Sequence, residues 1–157
     1  MHYIGSLYFS QMKHPYYYYR YIYCIFFTLL ANQIHAQDSL QFQSLFPSDQ
    51  KTEVACYRIP ALTTAPNGDL IAAIDERVPS CGDLKWNRDI NIVIRRSTDH
   101  GKTWLPIERI VDYPLGQSAS DPSFIVDRVT KAIFLFFDFM DIDTEKDVYY
   151  FKYIKST

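Results

Sequence analysis

A repeat with a spacing of about sixty residues constrains the fold of this chain more than any other feature of its sequence. Asp75 closes one apolar run, and Asp138 closes a second one, at residues 133–137, 63 residues later. The pair Ser-Thr at residues 97–98 occurs again at residues 156–157, at an offset of 59. With four strands predicted per copy, this spacing favours an all-β protein, a β-propeller with large blades. Two unrelated hairpin pairs in a sandwich are the alternative.

Residues 58–111, the first copy, are predicted to form a four-stranded antiparallel meander. Runs of strand-forming residues are separated by turn signals and lie at residues 59–64, 70–75, 90–96 and 104–111. Asn67-Gly68 predicts a hairpin, because both residues tolerate a positive φ. The loop at residues 76–89 is long for a strand connection, which is typical of functional loops. Residues 148–154 are the predicted third strand of the second copy.

The first 36 residues have the layout of a secretory signal peptide, with Met12 as an alternative start. Basic residues, including Lys13 and Arg20, precede an apolar run at residues 21–30 that is too short to span a bilayer comfortably. A membrane anchor is the alternative. We therefore expect a secreted or periplasmic protein with no stable membrane span once the signal is removed. Residues 37–53 are then an entry segment, and residues 54–157 form the propeller domain.

Composition and cysteine content narrow the class of protein. A net charge of -2 with 48% hydrophobic residues is typical of a globular domain, and the absence of a polybasic block argues against a nucleic-acid partner. Cys56 and Cys81 remain after the signal, and they either form a disulfide in an oxidising compartment or stay as buried thiols. No CxxC motif or nearby histidine pair supports a zinc site, so we predict no metal and no cofactor.

Residues 97–104 read Ser-Thr-Asp-His-Gly-Lys-Thr-Trp and fit the pattern S-x-D-x-G-x-T-W. In such a turn the Asp side chain can accept backbone N–H bonds, Gly can adopt a positive φ and Trp can pack beneath. The pattern resembles the Asp-box of sialidases and other β-propeller proteins. Its defining positions are Ser97, Asp99, Gly101, Thr103 and Trp104. We interpret Asp99 as a brace for the turn and not as a catalyst.

Tyr57-Arg58-Ile59-Pro60 precedes this octet, and the two motifs together resemble the opening of exo-α-sialidases, whose first strand begins with Arg-Ile-Pro. The resemblance covers residues 54–139. It implies a six-bladed sialidase-type propeller, of which this chain holds the first blade and most of the second. It also implies hydrolysis of terminal sialic acid from glycoconjugates, with sialylated glycans as partners and without a metal.

The resemblance implies substrate contacts for two arginines. Arg58 matches the first arginine of the family's triad, whose planar fork can pair with both oxygens of the sialic acid carboxylate. Arg77 matches a further arginine that lies beside the substrate near its ring hydroxyls. For Arg77 a salt bridge with Glu76 or Asp75 is the alternative.

The resemblance also implies roles for two carboxylates. Asp83 matches the mobile-loop aspartate that serves as general acid and base, a role that needs a pKa raised by burial once substrate closes the site. Asp89, in the same predicted loop, is the runner-up. Asp121 matches the aspartate near the N-acetyl pocket, where a carboxylate can accept the amide N–H. The alternative for Asp121 is that Asp-Pro simply starts a strand.

In the resembled family the nucleophile is a tyrosine activated by a glutamate, and both come from later blades with the remaining arginines. Tyr149, Tyr150 and Tyr153 lie on a predicted second-blade strand and are not counterparts of that tyrosine. We therefore expect a truncated secreted exo-α-sialidase, and the missing nucleophile makes activity of this chain alone doubtful. A non-catalytic carbohydrate-binding propeller fragment and an inactive gene product are the alternatives.

Overall fold

The computed structural model describes residues 42–50 and 53–156, so the predicted signal peptide lies outside the described residues. Gln43–Thr157 form one compact unit. The strands are β1 Cys56–Thr64, β2 Leu70–Val78, β3 Asp89–Ser97, β4 Glu108–Val111, β5 Gln117–Val126, β6 Ile133–Asp141 and β7 Tyr150–Lys155. Two short 3-10 helices lie at Ser48–Gln50 and Leu84–Trp86. The predicted all-β fold is confirmed, and no helix in the described part is long and apolar enough to cross a membrane.

The first sheet contains β1 to β4 in chain order, all antiparallel, which confirms the meander predicted for residues 58–111. β2 is longer than predicted and continues through Glu76 and Arg77 to Val78. The charged residues do not end the strand, because they pair with strands on both sides. β4 is shorter than predicted. Pro106 has no N–H to donate to a ladder, and the strand begins two residues after it.

The second sheet contains β5, β6 and β7, again antiparallel and in chain order. The apolar run at residues 133–137 lies in β6, and the strand predicted at residues 148–154 corresponds to β7, which begins at Tyr150. Asp121 lies in the middle of β5 and not at a strand start. The sixty-residue repeat therefore corresponds to two sheets of similar construction, whereas the six blades implied by the resemblance stay a prediction.

The two sheets pack face to face through an apolar core. The buried residues of this core are Ala73, Ile92, Val111, Ala119, Leu135, Phe137 and Phe139. Both faces of β3 are buried, since Ile92 and Val93 on alternate faces are each 0% exposed. A second, smaller cluster of Leu84, Ile90 and Met140 lies beneath the connection between β2 and β3. That connection is consequently fixed to the sheets by apolar contacts.

The turn between β3 and β4 is organised by the side chain of Asp99. Asp99 Oδ1 accepts the backbone N–H of Thr103 at 2.8 Å, and Asp99 Oδ2 accepts the Thr103 hydroxyl at 2.6 Å. The Ser97 hydroxyl donates to Asp99 Oδ1 at 2.8 Å, and Gly101 has a φ of 87°. These bonds, those from Thr103 first, lower the pKa of Asp99 to about 2. The carboxylate therefore stabilises the turn as an anion.

Candidate active site

A bulge in β1 places Arg58 at one end of the first sheet. The pairing of β1 with β2 shifts register between Arg58 and Ala61, and Ile59 between them has a φ of 57°. A bulge bends its strand and changes the direction of the neighbouring side chains. The Arg58 side chain is 43% exposed, and its Nη1 donates to Asp83 Oδ1 at 2.9 Å.

Asp83 lies in the β2–β3 connection, which spans residues 79–88 and is shorter than the predicted loop because β2 extends further. A disulfide joins Cys56 at the start of β1 to Cys81, with their Cα atoms 5.7 Å apart. Leu84, the residue after Asp83, is buried in the small apolar cluster. These two attachments on either side of Asp83 hold a carboxylate that is itself 57% exposed.

Arg77 lies beneath Asp83, with a side chain that is only 1% exposed. Its Nη1 donates to Asp83 Oδ1 at 2.7 Å and to the carbonyl of Gly82 at 2.9 Å. The hydrogen bond from Arg77, together with the charge of Arg58, holds the pKa of Asp83 below its ordinary value. In this arrangement Asp83 is an anion between an exposed and a buried arginine.

The other donors of Arg77 bind Asp75, which is 0% exposed. Arg77 Nε and Nη2 lie 3.2 and 2.8 Å from Asp75 Oδ2. The salt bridge that sequence reasoning considered for Arg77 is thus made with Asp75. Glu76, the other candidate, accepts instead from Arg109 Nε at 2.9 Å and from the Tyr57 hydroxyl at 3.2 Å. All three guanidinium nitrogens of Arg77 have acceptors within the protein, so this side chain supports the loop from below.

The carboxylate of Asp75 also reaches the second sheet. Asp75 Oδ2 accepts the Ser120 hydroxyl at 2.6 Å, and Asp75 Oδ1 accepts the backbone N–H of Asp121 at 3.0 Å. Burial raises the pKa of Asp75 to about 6, against the opposing effect of the hydrogen bonds from Ser120 and Arg77. Burial therefore outweighs the hydrogen bonds in setting the proton affinity of this group.

Asp121 lies at a bulge in β5 that resembles the bulge in β1. The register of β5 with β6 shifts between Ser120 and Ser123, and Asp121 has a φ of 59°. The Asp121 residue is exposed, whereas its backbone N–H is held by Asp75. Burial, and then the charge of Asp121, raise the pKa of Asp138 on the neighbouring strand. Asp121 thus presents a carboxylate at the same end of the two sheets as Asp83.

The structure brings together most of the residues predicted for a site. Arg58, Arg77 and Asp83 are in direct contact, and Asp121 is linked to them through Asp75. Asp89, the runner-up, lies at the start of β3 and accepts from Asn91 Nδ2 at 2.9 Å, away from the two arginines. The turn at residues 97–104 lies at the opposite end of β3.

Sequence reasoning missed the central place of Asp75. The pattern marked it only as the end of an apolar run, because its partners Ser120 and Asp121 are 45 and 46 residues away. The repeat of Asp75 and Asp138 was the available signal, since a matching position in two sheets indicates a shared packing role. Among the described residues no group of three or more His, Cys, Asp or Glu side chains could hold a metal ion.

The arrangement has the chemistry of an anion-binding site with an adjacent proton donor or acceptor. Arg58 is a half-exposed guanidinium that can pair with a carboxylate from solution. Asp83 is an exposed carboxyl whose proton affinity depends on the two arginines beside it. Asp121 adds a hydrogen-bond acceptor near them.

Comparisons with known proteins agree on one class of relative. The sialidase of Micromonospora viridifaciens is 45% identical over 86 residues, which cover 51% of this chain and 12% of that protein. The anhydrosialidase of Macrobdella decora is 35% identical over 119 residues, covering 62% of this chain and 15% of that protein. No protein-family model matches the chain.

A comparison with solved structures also finds sialidases. The leech intramolecular trans-sialidase, in complex with 2,7-anhydro-Neu5Ac, superimposes with a TM-score of 0.56 at 29% identity, covering 66% of this chain and 18% of that one. The neighbours in structure are sialidase β-propellers, which agrees with the all-β antiparallel architecture. The chain spans only 12 to 15% of the length of the two curated relatives.

Proposed function

This chain is a homologue of sialidases, and from that premise we propose that the full-length protein is an exo-α-sialidase that releases terminal sialic acid from glycoconjugates. In this proposal Arg58 binds the substrate carboxylate, Asp83 is the general acid and base, and Asp121 accepts the N-acetyl N–H. We also propose that the protein is secreted or periplasmic, which suits glycoconjugates outside the cell.

One observation supports this proposal above the others: a single exposed carboxylate, Asp83, lies between an exposed arginine and a buried one. Arg58 Nη1 and Arg77 Nη1 are 2.9 and 2.7 Å from the same oxygen of Asp83. The exposed arginine is available to an anionic ligand, whereas the buried one is committed to the protein. A ligand carboxylate would therefore compete with Asp83 for Arg58 and not for Arg77.

Competition for Arg58 explains how substrate binding could protonate Asp83. A substrate carboxylate that pairs with Arg58 takes over its donors and brings a negative charge close to Asp83. Loss of a cation and gain of an anion both raise the pKa of a neighbouring carboxyl, and exclusion of water by the sugar raises it further. Substrate binding thus shifts Asp83 from the anion of the free protein toward the acid that must donate to the leaving oxygen.

In this proposal Asp121 orients the substrate. Its backbone is fixed by the bulge in β5 and by the bond to Asp75, while its residue remains exposed. A carboxylate at a fixed position can accept the N–H of an N-acetyl group. Removing such a bond leaves the amide donor of the bound substrate unpaired, so we expect Asp121 to affect KM more than kcat.

The direct test is release of a fluorescent aglycone from an α-sialoside by the full-length protein. We expect turnover, and we expect Asp83→Ala to reduce kcat by roughly 100-fold or more, the usual contribution of a general acid. Asp89→Ala is the matched control, because Asp89 is a carboxylate that makes no hydrogen bond or ion pair with Arg58 or Arg77, and we expect it to retain most of the activity. A sialoside that binds without being cleaved would favour the non-catalytic binding module.

Product analysis decides between hydrolysis and an internal transfer. A relative in the comparisons is named an intramolecular trans-sialidase and was solved with 2,7-anhydro-Neu5Ac. We propose hydrolysis, with free sialic acid as the product. Mass spectrometry of the released sugar distinguishes the two, because the anhydro product is lighter by one water. A dominant anhydro product would replace hydrolysis while leaving the roles of Arg58 and Asp83 in place.

A further inference from the structure

We propose that Asp75 is a positioning residue of the proposed sialidase site, which fixes the loop of Asp83 relative to the bulge of Asp121 by binding Arg77 and the second sheet at once. This inference rests on the proposed function for its catalytic consequence. Its structural content stands separately on the hydrogen bonds of one buried carboxylate.

Asp75 accepts from four donors that come from both sheets. Arg77 Nε and Nη2 bind it from within β2, at 3.2 and 2.8 Å. The Ser120 hydroxyl and the Asp121 N–H bind it from β5, at 2.6 and 3.0 Å. Three of these bonds reach Oδ2 and one reaches Oδ1, so the carboxylate is held by partners on two elements that carry site residues.

Burial shows that Asp75 acts through its neighbours. Asp75 and Ser120 are 0% and 1% exposed, so neither can touch a substrate in this arrangement. Arg77 connects Asp75 to the loop, because the guanidinium that binds Asp75 also binds Asp83 Oδ1 and the Gly82 carbonyl. Asp75 therefore links the placement of Asp83 to that of Asp121 from behind both, in addition to the disulfide and Leu84 that hold the loop.

The ionised form of Asp75 is the one that can accept all four bonds. The charged groups around it are Arg77 on β2, Arg58 opposite it on β1, Asp121 on β5, Asp83 on the loop through Arg77, and Asp138 on β6 beside Asp121. Burial raises the pKa of Asp75 to about 6. Below that pH the carboxyl holds a proton that it must donate, and at least one of the four donors loses its acceptor. The positioning effect should therefore weaken as the pH falls through about 6.

Ser120→Ala is the sharpest test, because it removes one donor to Asp75 and creates no new charge. The Ser120 hydrogen bond lowers the pKa of Asp75, so its loss raises that pKa. We expect the acid limb of the kcat/KM profile of the full-length protein to move to higher pH by at least half a unit, with less than about threefold change at pH 8. Asp75→Asn should lower kcat/KM by about tenfold or more above pH 7, and the difference from the wild type should shrink as the pH falls through about 6.

Ser118→Ala is the matched control. Ser118 is also a buried serine on β5, but its hydroxyl donates to the carbonyl of Asn87 at 2.9 Å, accepts the Ile90 N–H, and makes no hydrogen bond with Asp75. We expect a small loss of stability in this variant and no movement of the acid limb. Equal shifts in Ser118→Ala and Ser120→Ala would indicate a general packing effect and overturn the proposal.

A measurement that needs no activity separates this proposal from the proposed function. The Nε–H signal of Arg77 in full-length protein labelled with 15N-arginine should titrate with Asp75, and its midpoint should move to higher pH in Ser120→Ala. If the protein does not cleave sialosides but this shift occurs, the proposed function fails and the link through Asp75 stands. If the chemical shift of the Arg77 Nε–H changes neither with pH nor in Ser120→Ala, Asp75 does not bind this arginine and the proposal is wrong.

Discussion

The two sheets share a backbone arrangement and differ in the charges placed on it. In the first sheet Arg58 precedes the bulge and lies opposite Asp75; in the second Ser120 precedes the bulge and lies opposite Asp138. In each bulge the residue before a proline has a positive φ, 57° at Ile59 and 59° at Asp121. The repeat thus reproduces the bulge, and the side chains around it are free to differ.

The two sheets also differ in charge two residues further along their second strands, β2 and β6. The first sheet has Arg77 there, paired with Asp75, whereas the second has the buried Met140 within an apolar cluster. The first sheet therefore carries a cation at a position where the second is apolar. A shared backbone supplies the geometry, and a few substitutions on one copy provide the charged groups of the candidate site.

The largest expected effect comes from removing the carboxylate at the matching positions of the two sheets. Asp75→Ala leaves Nε and Nη2 of the buried Arg77 without their acceptor, while Nη1 keeps Asp83. The loss of this buried partner should cost about 3 kcal/mol in the free energy of unfolding. Asp138→Ala should cost far less, because burial and the charge of Asp121 already disfavour the Asp138 anion. Urea unfolding of the full-length protein at pH 7 measures both values.

A double variant checks the reason for that loss. Arg77→Met in the Asp75→Ala background removes the buried cation that has lost its Asp75 acceptor, and it gives the first sheet the residue type found at Met140. We expect it to recover part of the lost stability, since apolar replacements of buried ion pairs are often tolerated. If Arg77→Met lowers stability further in that background, the missing acceptor for Arg77 is not the cause of the loss.

The second prediction concerns pH. The pKa of Asp75 is about 6 in the folded protein, above the ordinary 3.8, so the folded state binds a proton more tightly than the unfolded state does. Stability from this group is therefore present below pH 4 and is lost as the pH rises to 6. The loss is about 3 kcal/mol for a shift of roughly two units.

Comparison with Asp75→Asn isolates this effect, because most other titrating groups are common to both proteins. The wild type should lose stability relative to Asp75→Asn between pH 4 and pH 6, and the difference should be constant above pH 7. A difference that grows in favour of the wild type over that range would contradict burial as the dominant cause. The ionised form then serves the site at a cost in stability.

The third prediction concerns how the loops of the two sheets are attached. The loop of Asp83 is held by the disulfide between Cys56 and Cys81, which are 25 residues apart. Cys56→Ser/Cys81→Ser should cost about 3 kcal/mol by the chain-entropy estimate. In the loop after β6, Asp143 pairs with Arg88 at 2.6 Å, both partly exposed, and Asp143→Ala should cost less than about 1 kcal/mol. Thermal unfolding of both variants tests whether the first loop is the more firmly held.

Local signals explain which parts were predictable from the sequence. The meander and the braced turn at Asp99 follow from residues within a few positions of one another, and the structure has both. The bulge at Asp121 and the extension of β2 through Arg77 depend on how residues pair across neighbouring strands, as Arg77 does with Cys56 and Ile90. The bonds of Asp75 to Ser120 and Asp121 span 45 and 46 residues, and nothing near Asp75 in the chain indicates them.

The smallest expected effect compares the turns that join the first two strands of each sheet. Gly68 has a φ of 91° in the first turn, and Lys131 has a φ of 66° in the second, where a side chain is strained. Gly68→Ala should lower the free energy of unfolding by about 1 kcal/mol, because a side chain is strained at this positive φ. A steric clash does not contribute, since a Cβ there would meet nothing within 4 Å. Lys131→Gly should gain at most about 1 kcal/mol, because relief of strain is offset by the greater freedom of glycine in the unfolded chain. Urea unfolding measures both changes in the free energy of unfolding. Changes of opposite sign would show that both turns have a backbone conformation that favours glycine, which only the first sequence supplies. A loss of stability in both variants would instead show that the Lys131 side chain makes contacts that stabilise its turn.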